Sequence, residues 1–312
     1  SLFFAVFSML CFFFNILELF MNEIKIINRI SKEIEIEIPP NKGLLKFIFT
    51  NPFGVLPLHL IVKRKFLSVL FGRQMDKANS SNRIQKFVDD FKINMNESVL
   101  NIKEFKTFNN FFYRKLKVDC RPIGDGVVSP ADGKILVFEN IAQIDKFFVK
   151  GRKFTLRNFL QDETLAKKNE NSSLIIIRLA PNDYHRYHFP YDGNISKTEM
   201  IDGFYYSVSP YAVQENVAIF CENKRSISTL KTKDKGDVLI SEVGATMVGS
   251  IFQTYEPNTD VSKGLEKGYF SFGGSTVILL IDSSKVKLDN DLVVNTKNGF
   301  ETTIKMGERI GV

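Results

Sequence analysis

From about Arg121 onward, short apolar runs rich in β-branched residues alternate with Gly, Pro and Asp. β-Branched side chains favour extended backbone, whereas Gly, Pro and Asp favour the turns between strands. The runs predicted to form strands are Val127–Val128, Ile135–Val137, Leu174–Leu179, Val238–Ile240, Met247–Val248, Ile251, Val277–Ile281 and Leu292–Val294. Many short strands separated by turns predict a mostly antiparallel β core. No G-x-G-x-x-G motif opens a helix after a predicted strand, so a dinucleotide-binding fold has no support.

Helical patterns precede this core. Residues 2–20 are the most apolar stretch, which fits a signal-peptide core, a short membrane anchor or a buried helix. Residues 44–73 mix apolar clusters with Lys and Arg, as in a helix lying among lipid headgroups, although a core helix with a basic edge explains the same letters. Apolar residues at helical spacing predict two further helices, Ile84–Phe91 and, capped by Thr107, Phe108–Phe112.

The charge and the cysteines limit the partners. A net charge of +7 fits either nucleic acid or an anionic membrane surface. No dense Lys/Arg run and no zinc-finger or RNP motif is present, so we expect no nucleic-acid partner. Cys11, Cys120 and Cys221 lie far apart, which argues against a disulfide scaffold or a structural zinc site. His185 and His188 lack obvious further ligands nearby, and no metal site is predicted.

Three short segments carry residues suited to catalysis. The segment SPADGK contains Asp132, which alone would be a turn residue. The segment LAPNDYHRYHFPYDG follows an apolar strand and contains His185 and His188, while GGS places Ser275 at the start of another strand. Together they supply an Asp, a His and a Ser at strand ends, the set that activates a serine hydroxyl.

The neighbours of Ser275 separate two uses of that hydroxyl. A serine hydrolase with a persistent Ser275, His188 and Asp132 triad stays open, but the G-x-S-x-G pattern of a nucleophile elbow is absent. Gly274 instead presents an uncrowded carbonyl directly before the serine, the arrangement for self-cleavage of the chain. A catalytically silent, membrane-attached β module is a third interpretation of the same sequence.

Several longer motifs follow one another over roughly residues 100–285. They are, in chain order, FKTFNNFFYRKL (105–116), RPI (121–123), SPADGKI (129–135), DYHRYHFPYDG (183–193), YSVSPYAVQENVAIFCENKR (206–225), VGATMVGSI (243–251) and FGGSTV (272–277). Together these motifs closely resemble the phosphatidylserine decarboxylase family. One departure is Gly273, which stands where the family usually has Leu or Val, and a looser turn there could slow processing.

The resemblance implies a self-processing, pyruvoyl-dependent lyase. Asp132 would orient His188, which would take the proton from Ser275 as its oxygen attacks the Gly274 carbonyl. The chain would then divide into a β chain ending at Gly274 and an α chain, 275–312, whose first residue becomes a covalent pyruvoyl group. This pyruvate cofactor derived from Ser275 would accept electrons during decarboxylation of phosphatidylserine to phosphatidylethanolamine, with His185 as the proton donor.

The expected fold class is therefore α+β, a mostly antiparallel β catalytic core preceded by N-terminal membrane-associating helices. The predicted division is a hydrophobic leader or anchor at 1–30, a helical membrane-surface region at 31–99 and the catalytic domain at 100–312. The resemblance implies a membrane lipid as partner and allows a homodimer. It places the protein at a membrane: the endoplasmic reticulum or mitochondrial inner membrane in a eukaryote, or the plasma membrane in a bacterium.

Overall fold

Strands dominate the structure, a computed structural model that describes residues 25–36, 73–144, 153–208, 213, 217–245 and 251–312. The strands within these residues are β1 (Lys25–Ile27), β2 (Ile34–Ile36), β3 (Val127–Val128), β4 (Gly133–Phe138), β5 (Ser172–Leu179), β6 (Arg186–His188), β7 (Gly193–Ile195), β8 (Glu199–Ile201), β9 (Arg225–Lys231), β10 (Asp237–Gly244), β11 (Ile251–Gln253), β12 (Thr259–Val261), β13 (Glu266–Phe270), β14 (Ser275–Asp282), β15 (Glu301–Ile304) and β16 (Arg309–Gly311). The α-helices that lie wholly within the described residues are α1 (Ile84–Phe91), α2 (Phe108–Phe112), α3 (Leu156–Leu160), α4 (Glu163–Lys168), α5 (Ile219–Glu222) and α6 (Asn290–Lys297).

One large sheet organises the described residues. Its strand order is β12-β7-β9-β10-β14-β5-β4-β15-β1-β2, with β8 beside β9. Neighbouring strands in this sheet run antiparallel except for β1 and β15, which pair in parallel. The expected α+β class with a mostly antiparallel core is confirmed.

The strands β5 and β14 form the centre of this sheet. They pair over eight residues, from Ser275 opposite Leu179 to Asp282 opposite Ser172, and β10 flanks β14 on its other side. Alternate residues point to opposite faces of a strand. Ile177 and Leu279 accordingly lie in one apolar cluster, and Ile176 and Leu280 lie in another. Both faces are covered, which explains the near-continuous apolar runs.

Two smaller sheets complete the β structure. The strands β11, β13 and β6 form a three-stranded antiparallel sheet, and β16 pairs with β3. Tyr187 of β6 and Phe270 of β13 belong to the same apolar cluster as one face of the large sheet. The strands β6 and β14 therefore contribute to one apolar cluster, through Tyr187 and Val277.

The helices α1 and α2 bury an aromatic cluster that confirms the helical spacing. Phe108, Phe111 and Phe112 of α2 pack with Ile84 and Val88 of α1. The Thr107 hydroxyl accepts a hydrogen bond from the amide of Asn110 at 3.1 Å, as expected for an N-cap.

One predicted strand is wrong. Leu292–Val294 lies in α6, which follows Asp289 and buries Leu292, Val293 and Thr296. The spacing of these three buried residues is that of a helix. A run of only three residues, Leu292–Val294, is too short to distinguish a helix from a strand. The predicted strand Met247–Val248 lies outside the described residues.

The N-terminal predictions fall mostly outside the described part of the chain. Residues 2–20 and 44–72 are among those not described, and the described helices include none long and apolar enough to cross a membrane. The strands β1 and β2 lie before residue 99, in the separate regions predicted to precede the catalytic domain. They nevertheless belong to the large sheet, because β1 pairs with β15. The division into three regions stays a prediction.

Candidate active site

Ser275 is fixed at the first position of β14. It lies opposite Leu179 of β5 and Gly244 of β10, so the sheet holds its backbone on both sides. The residue is fully buried, and its hydroxyl has no hydrogen-bond partner among the described residues. Buried hydroxyls normally have a partner. An unpaired serine oxygen is therefore free to react with a group brought next to it.

The two glycines before Ser275 differ in what they contribute. Gly273, the residue that departs from the family pattern, has a φ of 142°. This backbone conformation favours glycine over the Leu or Val that the family usually has at this position. A side chain at Gly274 would meet Val208 and Ala245 at ordinary contact distances of 3.4 and 3.6 Å. A Cβ at Gly274 would therefore fit at normal packing distances, so space alone does not require glycine at this position.

His188, the last residue of β6, is held in a defined tautomer. Its Nδ1 lies 3.0 Å from the Gly264 carbonyl oxygen, which can only accept, so Nδ1 carries the proton. Its Nε2 is then an acceptor and receives the Tyr184 hydroxyl at 3.2 Å. Burial lowers the pKa of His188, so the ring is neutral near pH 7. His188 is therefore prepared to accept a proton at Nε2.

Gly264 places that carbonyl because of its own backbone. Its φ of 80° is in the left-handed region, and a Cβ there would lie 2.6 Å from the Cδ1 atom of Ile123. The positive φ favours glycine, whereas the Ile123 side chain is 42% exposed and has room to shift. The turn before β13 thus fixes the ring of His188.

His185 is more completely buried than His188. Its Nδ1 donates to the Asp183 carbonyl at 2.9 Å, and its ring packs on Phe112 with 3.8 Å between centroids. Its Nε2 is buried and has no partner among the described residues. Burial lowers the pKa of His185 to about 3. The imidazole is neutral, with an unpaired Nε2 that faces no solvent.

Asp132 is held by cations and not by a histidine. Arg121 donates to its carboxylate through Nε at 2.9 Å and Nη2 at 2.6 Å, and the Met306 amide adds a bond at 2.8 Å. Lys305 lies at 3.5 Å. Both nitrogens of His188 bond elsewhere, so the structure does not join Asp132 to His188 by a hydrogen bond. The Asp132 charge still favours the protonated form of that ring.

A second ion pair, largely but not fully buried, holds the segment before the histidines. Asp183 accepts from Lys134 at 2.8 Å and from the Ala180 amide at 2.7 Å. Burial acts to raise the pKa of Asp183, but Lys134 and these hydrogen bonds lower it overall. Asp183 therefore stays ionised and orders the turn that leads from β5 to His185.

Sequence reasoning missed three contributors. Arg121 stood within the RPI motif and Tyr184 within the DYH motif, yet neither received a role. The Gly264 carbonyl carries no sequence signal, because every residue has the same backbone atoms. No group of three or more His, Cys, Asp or Glu side chains placed to hold a metal ion occurs in the described ranges.

Comparison with known proteins identifies the family. The family model described as phosphatidylserine decarboxylase matches residues 108–312. A phosphatidylserine decarboxylase proenzyme of Fusobacterium nucleatum is 52% identical over 292 residues, covering 93% of this chain and 97% of the relative. Proenzymes of the same name from Clostridium novyi and Clostridium tetani are 46% and 45% identical, covering 92% of this chain and 99% and 98% of the relatives. A match of this extent, over a chain that carries Gly274 and Ser275 at a strand end, shows that the chain belongs to the phosphatidylserine decarboxylase family.

Proposed function

We propose that this chain is a proenzyme that cleaves itself between Gly274 and Ser275 and then decarboxylates phosphatidylserine to phosphatidylethanolamine, a step of phospholipid biosynthesis. Beyond family membership, one observation carries the proposal. The Ser275 hydroxyl is fully buried and unpaired among the described residues, while strands on both sides hold the backbone at that position. A reactive oxygen directly after a glycine carbonyl is what self-cleavage needs.

In the proposed cleavage, the Ser275 oxygen attacks the Gly274 carbonyl carbon while its proton passes to His188. The carbon–nitrogen bond then breaks, the nitrogen takes up a proton, and an ester joins Gly274 to the serine oxygen. Loss of the serine α-proton with the Cβ–O bond releases Gly274 as a carboxylate and leaves a dehydroalanine. Water converts that residue to the pyruvoyl group with release of ammonia.

The tautomer and the neutral charge state of His188 suit it to act as the base in this step. The Gly264 carbonyl fixes the tautomer whose Nε2 accepts, and burial keeps the ring neutral. A well-placed general base contributes about 10²–10⁴ in rate. Nε2 must exchange its bond from Tyr184 for one from Ser275. Asp132, paired with Arg121 here, would contribute by its charge on His188 or by re-pairing with it.

The residues around Ser275 fit a pyruvoyl group at that position. The group would be carried by β14 between β5 and β10, in the space that the unpaired hydroxyl occupies. When present, it supplies an electron sink for the electron pair left on the substrate α-carbon as carbon dioxide departs. The chain thus makes its own cofactor.

His185 is proposed as the proton donor that completes the decarboxylation. Its Nε2 is the unpaired atom, and the Asp183 carbonyl holds the ring through Nδ1. With its pKa lowered to about 3 by burial, the ring must gain a proton before it can give one. An anionic substrate beside it would favour the protonated form. His185 would therefore become a donor only in the occupied site.

A lipid substrate requires access to a membrane surface, which extends the proposal to the N-terminal third. The apolar residues 2–20 and the apolar and basic residues 44–73 suit contact with the bilayer. We accordingly propose a membrane-associated enzyme. A homodimer is compatible with the proposal and can be measured by light scattering in detergent.

Intact-mass measurement of freshly purified protein, with and without a carbonyl-reactive reagent, tests the proposal. We expect two chains separated at 274/275, the smaller one modified by the reagent, and release of carbon dioxide from phosphatidylserine. A single persistent chain with esterase or peptidase activity would instead support a serine hydrolase and end the decarboxylase proposal.

A further inference from the structure

Arg114 is a buried cation that forms no ion pair with a described carboxylate. The residue is 6% exposed, and it lies two positions after Phe112, the last residue of α2. Its Nη2 reaches only the Asn182 carbonyl, at 3.5 Å, and its Nη1 has no hydrogen-bond partner among the described residues. The guanidinium lies over the Phe111 ring, 5.1 Å from the centroid. Leaving such a charge buried and unpaired is unfavourable, so an occupant for it is expected.

The nearby carboxylates are already used. Asp132 is held by Arg121 and the Met306 amide, and Asp183 by Lys134 and the Ala180 amide. Glu97, the third carboxylate whose charge acts on Arg114, pairs with Arg121 at 2.9 Å. Their charges act on Arg114 only at longer range, and burial lowers its pKa. No described carboxylate therefore remains to satisfy Arg114.

Other buried arginines do have partners. Arg178 pairs with Glu301 at 2.6 Å, and Arg186 pairs with Glu266 at 2.7 Å. Arg225 donates to three backbone carbonyls. Structural arginines in this protein are thus satisfied within the chain, which sets Arg114 apart as a residue that awaits a ligand.

Arg114 belongs to the region of the reacting groups. Its charge acts on His185, and the two side chains rest on neighbouring rings of α2, Phe111 and Phe112. The same helix holds the segment before the cleavage site, because Asn109 accepts from the Phe272 amide at 2.9 Å. Helix α2 therefore connects Arg114 and His185 to the loop before Ser275, and all three residues have side-chain atoms without a partner among the described residues.

We propose that Arg114 binds the headgroup phosphate of the phospholipid substrate. This inference rests on the proposed function. The planar guanidinium donates to phosphate oxygens in a matching geometry. The substrate carboxylate is the less suitable occupant, because pairing its charge would stabilise the ground state from which that charge must leave. In the headgroup, one oxygen and one methylene separate the phosphate from the reacting carbon, so a cation beside His185 can hold it.

Self-cleavage would make this site reachable. In the uncleaved chain, Phe272 covers α2 through edge contacts with Phe108 and Phe112, at 5.2 and 5.1 Å between centroids. Breaking the bond after Gly274 frees the carboxyl end of that loop. The guanidinium would then gain access to the headgroup in the mature enzyme.

The test compares two soluble probes on mature, cleaved enzyme. The first, sn-glycero-3-phosphoethanolamine, carries the phosphate without the carboxylate, and the second, L-serine, carries the carboxylate without the phosphate. Calorimetry should give a Kd for the first probe that rises about 10- to 100-fold in Arg114→Gln, the range for loss of a charge-assisted contact. The Kd for L-serine should change less than about threefold. Arg114→Lys keeps the positive charge but lacks the planar guanidinium group. Its Kd for the first probe should lie between those of the wild type and Arg114→Gln.

Arg157→Gln is the matched control, since it removes the same charge from a side chain that is 74% exposed. Both of its Kd values should equal those of the wild type. If Arg114→Gln fails to fold or cleave, phenylglyoxal labelling of mature wild-type enzyme replaces it. Arg114 should then be protected by the phosphate probe and not by L-serine.

Several results would overturn the inference. Weaker binding of L-serine alone would assign Arg114 to the carboxylate. Unchanged binding of both probes, with slower cleavage or lower stability, would make it a structural residue or a partner of the new Gly274 carboxylate. Each of these leaves the proposed function standing, whereas uncleaved wild-type protein would remove the proposed function itself.

Discussion

Replacing Lys267 by Met should destabilise the protein severely, because it leaves the buried Glu242 carboxylate without its cation. Lys267 and Glu242 are both fully buried, with 2.8 Å between Nζ and Oε1. Gln253 bonds both of them, and Ser226 donates to the Glu242 carboxylate. Removing one partner of such a pair costs about 3–5 kcal/mol. At about 2 °C per kcal/mol for a chain of this size, Tm should fall by about 6–10 °C.

The pair also connects the two parts of the site. Glu242 lies on β10 opposite Val277 of β14, and Lys267 lies on β13, which pairs with the strand that carries His188. Loss of Lys267 should therefore loosen the position of His188 relative to Ser275 and slow self-cleavage as well as lower Tm. A stability effect without a cleavage effect would show that the two sheets stay aligned without the pair.

Thermal unfolding is best followed by circular dichroism in a Ser275→Ala background, which keeps one uncleaved chain. The double variant Glu242→Leu/Lys267→Met should recover most of the loss in Tm, since no unpaired charge is then buried. Lys297→Met is the control, because its partner Glu139 lies at the same kind of distance, 2.7 Å, but both side chains are more than half exposed. A Lys267→Met protein that melts with the wild type would refute the reasoning.

Three further outcomes are expected. His188→Ala should slow cleavage about 10²- to 10⁴-fold, measured by gel electrophoresis over time, and near-normal cleavage would remove its role as base. His185→Ala should still cleave but release little carbon dioxide from phosphatidylserine, and normal turnover would contradict its role as donor. Burial lowers the pKa of His185 to about 3 from an unfolded value near 6.5, so the unfolded chain takes up this proton first as pH falls. The contribution of His185 to the free energy of unfolding is therefore present above about pH 6.5 and is lost as the pH falls toward 3. Between pH 7 and pH 5, urea unfolding should show that the free energy of unfolding falls by about 2 kcal/mol more in the wild type than in His185→Gln.

The sequence predicted the centre of the fold better than its edges. The runs Leu174–Leu179 and Val277–Ile281 are long, apolar and bounded by turn residues, so their strand character does not depend on context. Leu292–Val294 is too short to decide, and burial of Thr296 one turn later makes it helical. Pairing β1 with β15 brings together residues far apart in the chain, which no local pattern reveals.

The candidate site shows the same limit at the level of single atoms. Side chains suited to catalysis could be found from residue types, as with Ser275, His185 and His188. Their hydrogen-bond partners could not, because His188 bonds the backbone of Gly264, 76 residues away, and Asp132 bonds Arg121 in place of a histidine. Backbone carbonyls are chemically alike everywhere, and a carboxylate chooses its cation only once the chain has folded. An unsatisfied atom such as Arg114 Nη1 is likewise visible only after every partner has been assigned.

The position of the reacting bond explains how the protein can be cut without being lost. Ser275 is the first residue of β14, so every pair that this strand forms with β5 and β10 lies on the C-terminal side of the cleavage. The strands β15 and β16, in the same fragment, remain paired with β4 and β3 of the other. Cleavage therefore breaks no strand pairing, and it frees only the loop that ends at Gly274. The same buried sheet that holds Ser275 for attack would also hold the new group in place once the peptide bond has gone.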